Sequence, residues 1–435
     1  MDPQIVVLAA GKGTRMKSSL PKVLHKICGK PMIYHIIKES LKLTSNIAVI
    51  IGHESETVKN ALESEFDNLK FFLQDLENLP GTGGAVKSVE ITSDRIIILN
   101  GDMPLIRQEH LSRLLEPESD LTIGVIEAED PKGYGRVIIN NGEIVKIVEE
   151  KDATEEEKRV KSVNSGVYAI TRELLEAFLP TLSNDNAQKE YYLTDIVEFA
   201  INEGFEVKPV FVDERSFMGV NSKYELSVAE DIMQSRIQKD LMLNGVTIRS
   251  PKTVFIEAGV KFEGECEIEP GVVIKGDTFI KSSHIKANSV IEDSKIEFSV
   301  IGPFARIRPK SDIRDSTIGN FTEIKKSSLK GVKAGHLSYI GDSEIDEGTN
   351  IGAGVITCNY DGKNKHKTVI GKGVFVGSDS QLIAPVTIED ESFIAAGTTV
   401  TKNVKSGSLA ISRAPLKILD GFYKRFFGNK DAAKK

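Results

Sequence analysis

Residues 8–16 read Leu-Ala-Ala-Gly-Lys-Gly-Thr-Arg-Met and follow an aliphatic run, Ile5 to Val7, without a break. Glycines just past a strand leave backbone N–H groups open to an anion, and two cations, Arg15 and Lys22, lie within eleven residues of Gly11. Such a set can neutralise a triphosphate held on the loop. It is not the dinucleotide fingerprint, because Met16 stands where a third glycine belongs, and it is not a Walker loop, because no Gly-Lys-Ser/Thr follows. A tight turn with solvated basic side chains is the competing reading. Asp102, in LNGDMPL, comes just after the aliphatic run 95–99, so its carboxylate falls at the same sheet edge as the glycine loop. A carboxylate beside phosphates suits Mg²⁺, although Asp there also caps helices and shapes turns. His336, in AGHLSY, is one of three histidines in the second half, with His284 and His366. Its imidazole can accept a proton near neutral pH or serve structure alone.

The elements that must position these residues differ between the two halves. Between residues 4 and 221 short aliphatic runs alternate with amphipathic stretches: IVVLAA then MIYHIIKESLK, IAVIIG then ETVKNALESEF, RIIILNGDMPL then HLSRLLEP. That rhythm predicts a Rossmann-like α/β domain over 1–221 with an open, mostly parallel sheet. Leu226, Ala229, Met233, Ile237 and Leu241 recur at three- and four-residue spacing, with Gly245 as a stop, and predict a linker helix over 222–245. From 246 to 435 the period changes. Ile370, Val376, Leu382, Ile388, Ile394 and Val400 recur every sixth residue, as do Ile256, Phe262, Ile268, Ile274 and Ile280, with shorter pieces at Ile318 to Ile324 and Ile345 to Ile351. Six residues fit a short strand plus a corner, and three such faces close a triangular coil of about 18 residues. The stretch Cys358 to Thr368 (CNYDGKNKHKT) leaves the period and is expected to protrude as a loop. The final FYKRFFGNKDAAKK is basic and aperiodic.

A chain of 435 residues with 40% hydrophobic and 27% charged residues has ample material for two folded domains. A net charge of −7 speaks against a general nucleic-acid or anionic-membrane surface, so no such partner is expected. Cys28, Cys266 and Cys358 are too few and too scattered for a disulfide framework, which fits a reducing cytoplasm. MDPQIVVLAAG opens with no basic segment, and no apolar run reaches the ~18 residues of a membrane span, so neither export nor a membrane location is expected.

LAAGKGTRM with PKVLH (Pro21 to His25) is similar to the signature of nucleoside-diphosphate-sugar pyrophosphorylases. With the hexad rod and AGHLSYIGD (Ala334 to Asp342), it resembles, over almost the whole chain, the bacterial family of bifunctional N-acetylglucosamine-1-phosphate uridyltransferases/glucosamine-1-phosphate acetyltransferases. The resemblance implies a nucleotidyltransferase domain followed by a left-handed parallel β-helix of hexapeptide repeats. It implies acetyl transfer from acetyl-CoA to glucosamine 1-phosphate, then uridylyl transfer from UTP to N-acetylglucosamine 1-phosphate. The product, UDP-N-acetylglucosamine, would supply peptidoglycan and, in some bacteria, lipid A. In the first half it implies that Leu8, Ala9, Ala10, Gly11, Lys22, Gln74, Gly81, Thr82, Asn100, Gly101, Asp102, Gly135, Glu149, Asn164 and Asn221 bind UTP and the amino sugar. Arg15 and Lys22 would assist catalysis, and Asp102 and Asn221 would hold Mg²⁺. In the rod it makes His336 the general base, since the amine of glucosamine 1-phosphate must lose a proton before attacking a thioester. Arg308 (in ARIRP), Lys325 (in NFTEIKK), Tyr339 and Asn350 would bind the phosphosugar. Asn359 and Tyr360 (in TCNYDG) would serve it and border acetyl-CoA, which Ala353, Ser378, Ala396 and Arg413 (in AISRAP) would also touch. The family closes each acetyl site between subunits, which implies a homotrimer.

Three positions depart from the family's pattern: Asn100 replaces Tyr before Gly-Asp, Gly84 replaces His after Gly-Thr-Gly, and Ser222 replaces a second Asn after Gly-Val-Asn. Three other readings compete. A γ-type carbonic anhydrase would need three converging histidines; a scaffold subunit would have a degenerate site; a monofunctional pyrophosphorylase would carry an inert rod.

Overall fold

A computed structural model of the protein describes residues 2–140, 142–186 and 188–428. The end of the basic tail, residues 429–435, lies outside the described residues. Two compact units are present, residues 1–239 and 240–435, dividing within the helix Lys223–Leu243.

The first unit is built on one sheet ordered Val207–Val212, Leu121–Glu127, Ser162–Thr171, Arg95–Asn100, Gln4–Ala9, Ile47–Ile51, Lys70–Leu73. Ser162–Thr171 runs antiparallel to both its neighbours, and the others on this path are parallel. The strands Gln4–Ala9 and Ile47–Ile51 are buried almost throughout, as strands covered on both faces must be. Apolar clusters form on each side, one around Ile33, Ile36 and Leu111, the other around Leu174, Phe178 and Ile196. The chain leaves Gln4–Ala9 toward Ile47–Ile51 on one side and later returns to Arg95–Asn100 on the other. That reversal opens a crevice at the carboxyl ends of these strands, where such sheets bind ligands. Gly101 N–H donates to the Leu8 carbonyl across it (2.8 Å).

A hairpin, Arg136–Asn140 with Glu143–Val148, extends this sheet and interrupts the strand–helix alternation of the sequence. Most of the helix expected as a linker packs on this unit: Arg236 donates to Leu105 O (2.6 Å) and Ser216 Oγ (2.8 Å), and Cys28 N–H to Glu230 (2.9 Å).

The second unit is a left-handed parallel β-helix of three sheets with ten, nine and eight strands. Each sheet sends one ladder inward, such as Ile274, Ile291, Ile307, Ile324 and Ile340, all buried and in register. On the first face, strands begin at Cys266, His284, Val300, Thr317, Lys333 and Asn350, so several coils hold 16 or 17 residues rather than 18. Shortened corners explain why the six-residue spacing fades there. Corner residues Asn288, Phe304, Phe321 and Leu337 adopt φ of 58°, 55°, 56° and 49°, a conformation costly outside glycine and imposed here by the ladders on either side. Among the described residues, no helix is long and apolar enough to cross a membrane.

Ile324 has Ile307 below it and Ile340 above, so truncation there leaves a cavity that the rod closes poorly. Ile324→Ala is expected to cost about 2–5 kcal/mol and lower the melting temperature of the rod, read by calorimetry.

Candidate active sites

The first-unit crevice holds a cavity of ≈ 490 Å³ lined by Leu8, Ala9, Ala10, Gly11, Lys22, Gln74, Gly81, Thr82, Asn100 and Asp102. Lys12, Leu76, Pro80 and Glu190 also line it and were not anticipated. Lys22 bonds Asp102 directly and also reaches Asn221 Oδ1 (2.6 Å), which accepts a further bond from Arg15 (2.7 Å). Val220 N–H donates to Asp102 O (2.9 Å) and fixes the two acceptors side by side. A carboxylate and an amide oxygen sharing one cation form a hard-oxygen pair that fits a divalent ion. Among the described residues no group of three His, Cys, Asp or Glu could hold a metal, so phosphates and water must complete any such shell.

Gln74 spends both N–H bonds on backbone carbonyls, Leu79 O (2.8 Å) and Gly81 O (2.9 Å), which leaves its Oε1 as an acceptor at the cavity wall. Gly84 explains its own departure: a Cβ there would lie 2.1 Å from Leu79 O, so any side chain would displace the loop that fixes Gln74. Ser222 is accounted for as well. Its Oγ accepts Glu225 N–H (3.2 Å) at the start of the helix, while Asn221 N–H donates to Glu225 (2.6 Å), a capping arrangement that holds Asn221 in place. Asn100 donates to Gly166 O (3.4 Å), a glycine with φ 75° whose missing side chain makes room for it.

Gly135, Glu149 and Asn164 form an adjoining group. Asn164 N–H donates to Gly135 O (2.9 Å), a Cβ on Gly135 would sit 3.4 Å from Glu149 Oε1, and Gly166 N–H returns to Asn164 Oδ1 (3.0 Å). Burial raises the Glu149 carboxyl above its usual range, against a smaller lowering by its bond from Thr194. Leu193 N–H meets Thr82 Oγ1 (3.1 Å) and ties this group back to the cavity wall.

On the rod, His336 is exposed at the end of the strand Lys333–His336, paired with Asn320 below it. Its carbonyl accepts the Ser338 hydroxyl (2.9 Å), and Leu337 N–H donates to Asn320 O (2.9 Å), so the corner that presents the ring is fixed. Ala353, Ser378, Ala396 and Arg413 continue the same edge upward. Asp379 N–H bonds Ala353 O (2.8 Å), Gly397 N–H bonds Ser378 O (2.8 Å), and Arg413 Nε bonds Ala396 O (3.1 Å).

The neighbouring face stacks Arg308, Lys325 and Gly341 in register. A Cβ on Gly341 would meet the Tyr339 hydroxyl at 2.5 Å and Asn359 Nδ2 at 2.8 Å, so its bare backbone lets both side chains converge. Lys365, which no sequence motif singles out, joins them. Its contact with Lys325 is the main cause that holds the Lys325 ammonium below its usual range. Crowded cations favour an anion between them. Lys365 is carried by a small turn in which Tyr360 pairs with Lys365 and Asp361 bonds His366 (2.6 Å), with Tyr360 exposed. Asn350 is not brought to this face; it aligns with Lys333 and Phe375 on the other side of the His336 edge. His284 pairs with Glu269 (2.7 Å).

Residues 5–174 match the family model for the MobA-like NTP transferase domain, and residues 367–402 that for the bacterial transferase hexapeptide (six repeats). A protein named Bifunctional protein GlmU from a Nitratiruptor species is 60% identical, over 98% of this chain and 100% of its own length. Proteins of the same name from a Sulfurovum species and from Wolinella succinogenes are 55% and 56% identical, each covering 99% of this chain and 100% of the relative. The chain belongs to the GlmU family of bifunctional proteins. It is both a uridyltransferase and a glucosamine-1-phosphate acetyltransferase, and it makes UDP-N-acetylglucosamine. A divalent metal accompanies the first activity. The monofunctional and scaffold readings fall with this membership.

Glu149 offers a test of the burial argument. Its folded pKa lies above the unfolded one, so its contribution to stability is full below the unfolded value of 4.5 and is lost as pH rises through the folded value. Glu149→Gln is therefore expected to raise the melting temperature of the first unit at pH 8 and to leave it near wild type at pH 4, read by calorimetry.

Proposed function

We propose that the first-unit cavity binds UTP and N-acetylglucosamine 1-phosphate with Mg²⁺, and that the His336 edge and its neighbouring face bind acetyl-CoA and glucosamine 1-phosphate. The observation that carries the first assignment is the joint grip of Lys22 on Asp102 and Asn221 beside the glycine loop. Asp102 and Asn221 would hold Mg²⁺, which when bound neutralises phosphate charge. Backbone N–H groups at Gly11 and the cations of Lys22 and Arg15 align the triphosphate. The sugar phosphate's oxygen, ionised at neutral pH, forms a bond to the α-phosphorus as the bond to the β-phosphate breaks and pyrophosphate leaves. No proton is removed from the nucleophile, so alignment and charge neutralisation supply the catalysis. Gln74 Oε1 accepts the ring N–H of uracil, a contact that cytosine, with an unprotonated nitrogen there, cannot make. Gly135, Glu149 and Asn164 face the sugar.

In the rod, Arg308, Lys325 and Lys365 neutralise the phosphate of glucosamine 1-phosphate, with Tyr339, Asn359 and Tyr360 beside it. His336 takes a proton from the amine, the amine nitrogen bonds to the thioester carbonyl carbon, and coenzyme A leaves as the thiol. Backbone N–H groups near Ala353 stabilise the tetrahedral oxygen. Small residues at Ala353, Ser378 and Ala396 let the pantetheine arm lie along the edge toward Arg413. The placement of Asn350 on the far side of that edge supports a site completed by a second copy, and a homotrimer closed head to tail would supply one to every rod. Exposed aromatic stacks, Phe304 on Phe321 and Phe375 on Phe393, offer apolar surface for that contact.

Asp102→Ala is expected to reduce pyrophosphate release about a hundred-fold or more while thiol release is unchanged. His336→Ala should do the reverse, lowering thiol release by about 10²–10⁴. Equal loss of both activities in either variant would contradict the assignment. For Lys365→Ala, steady-state kinetics should show the KM for glucosamine 1-phosphate raised about ten-fold, with the KM for acetyl-CoA unmoved.

A further inference from the structure

We propose that His25 is a positioning residue of the uridylyl site, its Nδ1 accepting a hydrogen bond from the Lys223 ammonium that ties the turn carrying Lys22 to the helix start carrying Asn221. The bond is 3.0 Å long. Neither residue lines the cavity, so the pair acts through its neighbours. On one side, the Lys22–Leu24 turn is closed by His25 N–H on Lys22 O (3.2 Å), and the His25 carbonyl accepts Met32 N–H (2.9 Å) at the next helix. On the other, Lys223 opens the helix Lys223–Leu243, with Asn221 and Ser222 held by the Glu225 bonds. Lys22 and Asn221 then meet each other and Asp102. The two segments are some two hundred residues apart in sequence, and the bond between His25 and Lys223 braces their junction from outside the cavity.

The state of the imidazole agrees with this role. His25 is only 6% exposed, and its Nε2 is buried with no partner, so packing alone would be better served by an apolar side chain. Burial, and then the Lys223 charge, lower its pKa, which keeps the ring neutral and Nδ1 free to accept. An asparagine places its Oδ1 near the position of Nδ1 and preserves the acceptor, whereas leucine fills the space and removes it.

This inference rests on the proposed roles of Lys22 and Asn221. The full-length protein is titrated with UTP in the presence of Mg²⁺ by calorimetry, with pyrophosphate and thiol release measured alongside. His25→Leu and Lys223→Met are each expected to weaken UTP binding about five-fold, the effect of one hydrogen bond. The double variant should be no weaker than the worse single one, because both remove the same bond. His25→Asn should bind as the wild type does, and thiol release should stay unchanged throughout. Wild-type UTP affinity in His25→Leu or Lys223→Met, additive losses in the double variant, or a His25→Asn as weak as His25→Leu would each overturn the proposal. If His25→Leu does not fold, the exposed Lys223→Met still decides the matter. Lys22→Met and Asn221→Ala serve as controls. If they too leave UTP affinity intact, the site assignment itself fails; if they weaken it while the His25 and Lys223 variants are silent, only this inference fails.

Discussion

Lys22 grips Asp102 and Asn221 together, and the first unit is arranged around that contact. Asp102 comes from the end of one strand, Lys22 from the turn after the glycine loop, and Asn221 from the cap of a helix nearly two hundred residues later. Their meeting needs the sheet reversal that opens the crevice, the glycine at 101 that lets two strand ends close to hydrogen-bonding distance, and the Ser222 cap that aims Asn221. Two oxygens turned toward the same point favour a cation between them, whether ammonium or metal. The same arrangement leaves the Lys22 ammonium at the wall of the cavity.

The rod obeys a different constraint. Stacked isoleucines fill its interior, so nothing reactive can be placed inside, and chemistry is confined to edges and outer faces. A single edge carries His336 and the small residues above it, and a single face carries the cations. Glycine at 341 lets the Tyr339 and Asn359 side chains converge beside the cations, and alanine or serine keeps the side chains along the edge small. Asn350 lies on another face, aligned with Lys333 and Phe375.

Much of this was legible in the sequence, and the exceptions have physical causes. LAAGKGTRM and Asp102 sat at strand ends because aliphatic runs preceded them, and the cavity forms where those runs were expected to finish. The hexads from Ile370 to Val400 were plain because each coil there keeps its full corners. The coils from His284 to Asn350 lose one or two corner residues, and the six-residue spacing slipped out of phase although the ladder persists. Lys365 was missed because only the folded turn of residues 359–367 brings it beside Lys325. Gly84 and Ser222 looked like losses from the family's pattern, yet one is required by Leu79 O and the other caps a helix. The hairpin near residue 140 was legible as well, since Asn-Gly at 141–142 is flanked by the β-branched runs Val137 to Ile139 and Ile144 to Val148, but it breaks the strand–helix rhythm on which the rest of the domain was read.

The central claim is that two separate transfers act in sequence on one sugar phosphate. It is tested most directly by giving the purified protein glucosamine 1-phosphate, acetyl-CoA, UTP and Mg²⁺, and omitting each in turn while thiol and pyrophosphate are followed. Without UTP, thiol release should continue at its full rate; without acetyl-CoA, pyrophosphate release should stop, because the second site requires the acetylated sugar. Pyrophosphate released at an undiminished rate without acetyl-CoA, or thiol release that depends on UTP, would contradict the account.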